Sequence, residues 1–217
     1  MADKNLKNAD LSGADLRERD LTEADLTGAD LTEANLTGAD LTRANLSRAN
    51  LSRANLTKTK LNNAFLDSAD LSGTDLKSTI LDGAIMSGTM LEGADLAGKE
   101  LQLVLMERVD LSKANLTGAT LSGFLMGADL NGANLTRADL AFADLTRADL
   151  SGANLTRADL RFADLTRADL SGANLTSVNL EVAETDGTNF EDDKYEFGHG
   201  NTIFRNTRMP DGTIKSN

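Results

Sequence analysis

Residues 135 to 154 read "LTRADLAFADLTRADLSGAN" and residues 155 to 174 read "LTRADLRFADLTRADLSGAN", identical but for Ala141 against Arg161. Inside this twenty-residue unit a shorter motif, A-D-L-x-x, returns every five residues. Stepping by five from Leu6 gives 24 centres up to Leu121, all of them Leu except Met86 and Met106. A second series runs from Leu130 to Leu180 without exception and extends weakly through Thr185, Phe190 and Tyr195. Ala stands two positions before most centres and Asp or Asn one before. Ser or Thr follows, then Gly, Arg, Glu or Lys.

A period of five excludes the common elements. It would place successive Leu residues about 140° apart around a helix axis, so no face would be apolar. Nor is it the alternation of a half-buried strand. A winding path solves the problem. Ala and Leu, two apart, share the inner face of a short extended piece while the Asp or Asn between them points outward. Gly, Ser, Asn and Asp suit the corners. The twenty-residue duplication then marks one coil of four pentapeptides, and the next coil stacks on it.

These residues resemble the pentapeptide-repeat family, whose pattern is small-Asp/Asn-Leu/Phe-Ser/Thr-x, and the match runs from about residue 4 to residue 190. The Leu-rich centres and the closing "MPDGTIKSN" are similar to those of its cyanobacterial members. The resemblance implies an all-β fold, a right-handed quadrilateral β-helix with four pentapeptides per coil. About nine coils at roughly 4.8 Å each make a rod of roughly 45 Å. Residues 1–195 are expected to form the β-helix and 196–217 a C-terminal capping tail.

The pattern breaks twice. Between Leu121 and Leu130, "LSGFLMGADL" is one residue short, so either Leu125 or Met126 is the centre and local distortion is expected near Phe124 to Gly127. A slip between duplicated blocks or a kink for a partner would both produce it. After Leu180 aromatics gather at Phe190, Tyr195, Phe197 and Phe204, with Met209-Pro210-Asp211-Gly212 reading as a turn. A solenoid must cover its last coil, whose backbone groups are otherwise unpaired. The first coil carries no such cover in the sequence and is a candidate surface for self-association.

Little chemistry is on offer. The chain has no Cys, which excludes disulfides and thiolate metal sites. Its lone His199 cannot build a usual zinc site or a familiar triad. Asp139 and Asp159, Asp144 and Asp164, and Asp149 and Asp169 are expected one coil apart, offset by Arg137, Arg147, Arg157, Arg161 and Arg167. That is a solvated, charge-balanced face rather than a calcium ladder. No catalytic, cofactor-binding or metal-binding residue is assigned, and no enzyme activity is expected.

With 34 acidic and 22 basic residues the net charge is -12, which would repel nucleic acid and lipid headgroups. No apolar run has the roughly 18 residues of a membrane span. No export leader is recognisable, so the cytoplasm is expected, or an exported or luminal site if a leader has been removed.

Two surface features stand out. Residues 41 to 66 contain no acid, and Arg43, Arg48, Arg53 and Lys58 occupy the same place in four consecutive repeats, a basic belt around one coil. It reads either as balance for outward Asn and Asp or as a docking belt for an acidic partner. The outward position before the centre is Phe65, Ile85, Leu105 and Leu125 at intervals of twenty, with Ile80 and Met90 on the adjoining sides. This apolar strip is either a self-stacked ladder or an interface. The expected function is a non-catalytic structural scaffold for an unknown protein partner, or a homo-oligomer through the strip or an uncapped end. The alternative is an acidic nucleic-acid mimic, since quinolone-resistance members of the family are understood to occupy the DNA groove of DNA gyrase.

Overall fold

The computed structural model describes residues 4–190, 207–209 and 213–215. Its organising contact is a parallel bridge between residues twenty apart. Asn5 with Asp25, Asp10 with Asp30, Asp15 with Asn35 and Asp20 with Asp40 provide one bridge on each of four faces. We number these the first to fourth faces in that order. The pattern continues to Asp169 with Asn189, so four pentapeptides close one coil and coils stack in parallel.

Each residue type in the repeat has a physical task. The centre residues from Leu21 to Leu180 are buried, and the Ala two before them close the core from the same side. Each buried Leu stabilises the rod by about 1.5–3 kcal/mol, enough to dispense with core aromatics. Every corner but that at Ser122–Gly123 is a four-residue turn: Ala9 N–H donates to Leu6 O at 3.0 Å, with Asn8 at a φ of 54°. A positive φ at the third residue defines a type II turn, which explains Gly at so many corners. The non-glycine corners are held by bonds to the next coil, as when Arg43 N–H donates to Asn62 O at 2.9 Å.

The outward Asp and Asn are turn builders rather than merely solvated charge. Asp20 Oδ1 accepts the N–H of Thr22 at 3.0 Å and its hydroxyl at 2.6 Å. Asn35 does the same for Thr37 at 3.2 and 2.7 Å. Ser or Thr after the centre thus follows from Asp or Asn before it. Where Thr replaces the inward Ala, its hydroxyl is satisfied by a core carbonyl, as in Thr59 to Leu36 O at 2.9 Å.

Besides a missing bridge between Asn55 and Asp75 on the third face, two irregularities interrupt the stack. The short step falls at Ser122–Gly123, just before the expected segment. Gly123 N–H donates to Leu121 O at 2.7 Å, a three-residue turn in place of the usual four. Leu125 is the centre at 0% exposure, and bridges across the step span nineteen residues, as in Asp110 with Asp129. The second irregularity is Lys99, which stands where Ala belongs. Its Nζ donates to Lys77 O at 3.1 Å and to Thr79 O, and the bridge that would join Ile80 to Glu100 is absent. The fourth face is therefore unzipped there, leaving a cleft lined by Lys77, Thr79, Ile80, Asp82 and Glu100.

At the far end Thr207–Arg208 (β1) pairs antiparallel with Ile214–Lys215 (β2), closed by Met209 N–H to Thr213 O at 2.8 Å. Phe190 and Met209 are half-buried against the core. The expected cap aromatics Tyr195, Phe197 and Phe204, and His199, lie outside the described residues.

A candidate interaction surface

The first face carries Phe65, Ile85, Leu105 and Phe124 in successive coils. Bridges join Phe65 to Ile85 and Ile85 to Leu105, and Met106 N–H reaches Phe124 O at 3.2 Å. Phe124, at 55% exposure, takes the place in the apolar strip that sequence spacing assigns to Leu125. The correction has a plain cause. The residue lost between Leu121 and Leu125 shifts every later position by one, so twenty residues beyond Leu105 lies a core centre. Ile80 and Met90 stand on the fourth and second faces as expected, both exposed.

The apolar column does not end at Phe124. Phe142, Phe162 and Val182 occupy the edge between the fourth and first faces in the next three coils. Phe142 and Phe162 stack with centroids 4.8 Å apart and rings 5° from parallel, as a four-repeat coil requires. Leu103 stands on the same edge one coil below the short step and is 70% exposed. Sequence spacing places the Phe pair outward and Val182 twenty residues beyond it, but the continuity of this edge with Phe124 emerges only once the chain is traced through the short step.

Carboxylates border the aromatic pair. Asp139 and Asp159 line the face before the edge, and Asp144 and Asp164 the face after it, stacked by bridges. Arg161 pairs with Asp159 at 2.5 Å and holds its carboxyl below the usual range. Asp164 is also lowered, first by the Thr166 hydroxyl and then by the Thr166 N–H. Asp139, Asp144 and Asp164 have no ion-pair partner within 4 Å among the described residues. Arg137, Arg157, Arg147 and Arg167 occupy the far edges of these two faces, so charge alternates in bands across the rod.

The basic belt is half neutralised. Arg43, Arg48, Arg53 and Lys58 occupy the four corners of one coil with φ between 57° and 61°. Arg43 reaches Glu23 at 3.6 Å and Arg53 reaches Glu33 at 3.3 Å, one coil below. Arg48 and Lys58 stack over the corners of Gly28 and Gly38, which offer no side chain. The balance thus comes from corner glutamates rather than from outward Asn and Asp. Among the described residues no three acidic or imidazole groups are grouped to hold a metal ion, and no helix is long and apolar enough to cross a membrane.

A four-sided β-solenoid with polar faces and one apolar column is the class of protein these features define. The family model of pentapeptide repeats matches residues 9–48, 49–88, 84–123, 125–161, 143–181 and 153–192, and the chain belongs to the pentapeptide-repeat family. Among solved structures it is similar to HetL, a pentapeptide repeat protein involved in heterocyst differentiation regulation in the cyanobacterium Nostoc. The identity is 30%, over 99% of this chain and 94% of that one, with a TM-score of 0.43. A pentapeptide repeat protein of the Arabidopsis thaliana thylakoid lumen shares 31% identity over 52% of this chain and 73% of its own, with a TM-score of 0.31. The plasmid-mediated fluoroquinolone resistance protein QnrB1 shares 16% identity over 75% and 89%, with a TM-score of 0.41. No curated protein sequence matches the chain.

Proposed function

We propose that this protein is a non-catalytic scaffold for protein–protein contact, working in the cytoplasm or in a lumen. The observation that carries the reading is the apolar column on a rod whose faces, Ile80 and Met90 apart, are otherwise polar. Such a patch is costly to leave in water and commonly marks an interface. The stacked coils hold its side chains at fixed spacing, as solenoid binding surfaces do. The same reading takes residues 1–195 as the rod and 196–217 as its cap, supported by Phe190 and Met209 against the core. The belt of Arg48 and Lys58, which have no ion-pair partner within 4 Å among the described residues, is a secondary contact for acidic groups.

The nucleic-acid mimic remains a second reading because one feature favours it. Asp110, Asp129, Asp149 and Asp169 stack without interruption on the second face. Affinity purification from the native cell tests the scaffold: a stoichiometric protein partner is expected, and recovery of the chain alone from a native extract would remove the reading. A DNA gyrase supercoiling assay tests the mimic, which falls if tens of micromolar protein leaves the enzyme active.

A further inference from the structure

We infer that the apolar column is the docking track for a basic amphipathic helix of a partner protein, an inference that rests on the scaffold reading. The column runs through seven consecutive coils. Phe65, Ile85, Leu105 and Phe124 lie on the first face, and Phe142, Phe162 and Val182 on its fourth-face edge. The shift from face to edge falls at the four-residue step of Ser122–Gly123, so the line bends without breaking. Six coil spacings of roughly 4.8 Å give a track of about 29 Å. A helix of about 19 residues at 1.5 Å per residue has that length, and its apolar stripe is likewise narrow.

Backbone preference does not explain the three corner residues. Phe142, Phe162 and Val182 sit at φ of 63°, 61° and 62°, where other corners carry Gly, Arg or Glu. A β-branched side chain at positive φ is an unfavourable choice, and Val182 is nevertheless 54% exposed. The residue types preferred elsewhere would suit the backbone better and the water better.

Charge selects the occupant. Beside the track stand Asp139, Asp144 and Asp164, with no ion-pair partner within 4 Å among the described residues, and lower down Asp67, Asp82 and Glu107; these carboxylates outnumber the neighbouring cations Arg108 and Arg161. Lys and Arg flanking the apolar stripe of a helix would meet these carboxylates, while the aromatic stack favours cations over its exposed ring faces. A second copy of this chain would bring the same carboxylates against themselves. A band one side chain wide also offers far less than the roughly 800 Å² per partner of a stable dimer.

The test uses the full chain and a labelled 20-residue Leu/Lys peptide with Leu at i, i+3, i+4 and i+7. Its controls are a scrambled Leu/Lys peptide and a Leu/Glu peptide of the same pattern, followed by fluorescence anisotropy at 0.15 M salt. The patterned Leu/Lys peptide is expected to bind at least ten-fold tighter than either control. Two variants restore the residue types of other coils and so keep the fold: Phe65→Asn with Ile85→Asn, Leu105→Asn and Phe124→Asn, and Phe142→Gly with Phe162→Gly and Val182→Gly. Each is expected to lose at least ten-fold in affinity with its circular dichroism unchanged. Equal binding by folded variants, or no preference for the patterned basic peptide, overturns the inference. So does a wild-type dimer in sedimentation that the variants dissolve. Native-cell partners captured equally by wild type and both variants would leave the scaffold standing and remove the track, so the two readings fail separately.

Discussion

Replacing Lys99 with Ala should close the open seam in the fourth face and stabilise the rod. One coil lower on that face, Ile80 N–H donates to Thr59 O at 2.9 Å and Ile80 O accepts from Leu61 N–H at 2.8 Å. The corresponding bonds, Glu100 N–H to Thr79 O and Leu81 N–H to Glu100 O, are missing, and the Lys99 ammonium occupies Thr79 O instead. Burial pushes Lys99 down from the ordinary value of 10.5, even though Asp82 and Asp75 pull it up. That direction decides the sign: the charged form is worse off here than in water, so deleting it relieves a cost. Two recovered backbone bonds contribute about 0.5–1.5 kcal/mol each. Allowing for the lost ammonium contacts, a net gain of about 1 kcal/mol is expected, or about 2–4 °C in Tm for a chain of this size. A base with a lowered folded pKa penalises folding fully below that pKa and ceases to do so once the unfolded group also loses its proton. The gap between Lys99→Ala and wild type should therefore narrow as pH rises through the alkaline range toward 10.5. Thermal melts by circular dichroism and amide exchange at Glu100 report the outcome. A lower Tm with faster exchange in the variant would show that Lys99 braces the seam rather than opening it, and the reasoning would fail.

Acid should destabilise the rod through its turn carboxylates. Arg17 holds Asp15 down to about 2, and the Thr27 hydroxyl and N–H lower Asp25. For groups with depressed folded pKa the contribution is present above the unfolded value near 3.8 and is lost as pH falls toward 2, so Tm should drop across that window. Asn makes the same turn bond without a proton to gain, so Asp10→Asn with Asp25→Asn and Asp164→Asn should flatten the acid limb of a Tm-versus-pH curve; an unchanged limb would refute the assignment. Leu150→Ala should cost about 2–5 kcal/mol in a denaturant melt, because a fully buried centre leaves a cavity. Asp149→Asn should stay within about 0.5 kcal/mol, since the amide oxygen can still accept from Ser151. Similar losses for the two would mean that inside and outside are exchanged. Inserting a Gly between Ser122 and Gly123 should restore a four-residue turn without moving Leu125 from the core; a melt lowered by more than about 2 kcal/mol would show that the short turn is required for packing.

How much of this is legible in the sequence depends on whether inference runs within one unbroken series. Inside such a run the side facing the core is a matter of counting. The burial of Leu26 to Leu121, the four-fold coil and the stacking of Phe142 on Phe162 all follow from period five and period twenty. The turn role of Asp and Asn is also local, because a side-chain oxygen two residues before an N–H is the usual geometry for such a bond. Two features need three dimensions. The consequence of Lys99 depends on a carbonyl twenty residues away, Thr79 O, which no window around Lys99 contains. The choice between Leu125 and Met126 is harder still, since both are apolar and each leaves one short step. It is decided by what the shortened corner can do. Placing Leu125 inside lets Gly123 take the Ala position, where its carbonyl accepts Asp144 N–H at 3.0 Å, and where an added Cβ would lie 3.6 Å from Gln102 O. Met126 then becomes an ordinary exposed corner residue, with Gly127 at a φ of 65° behind it. Had Met126 been the centre, the shortened corner would have fallen between Met126 and Leu130, and Gly127 would have lost its place as the left-handed third residue of a full turn. One deleted residue thus moves Phe124 to the surface and buries Leu125, and the exposed column changes direction at the point where the turn chemistry changes.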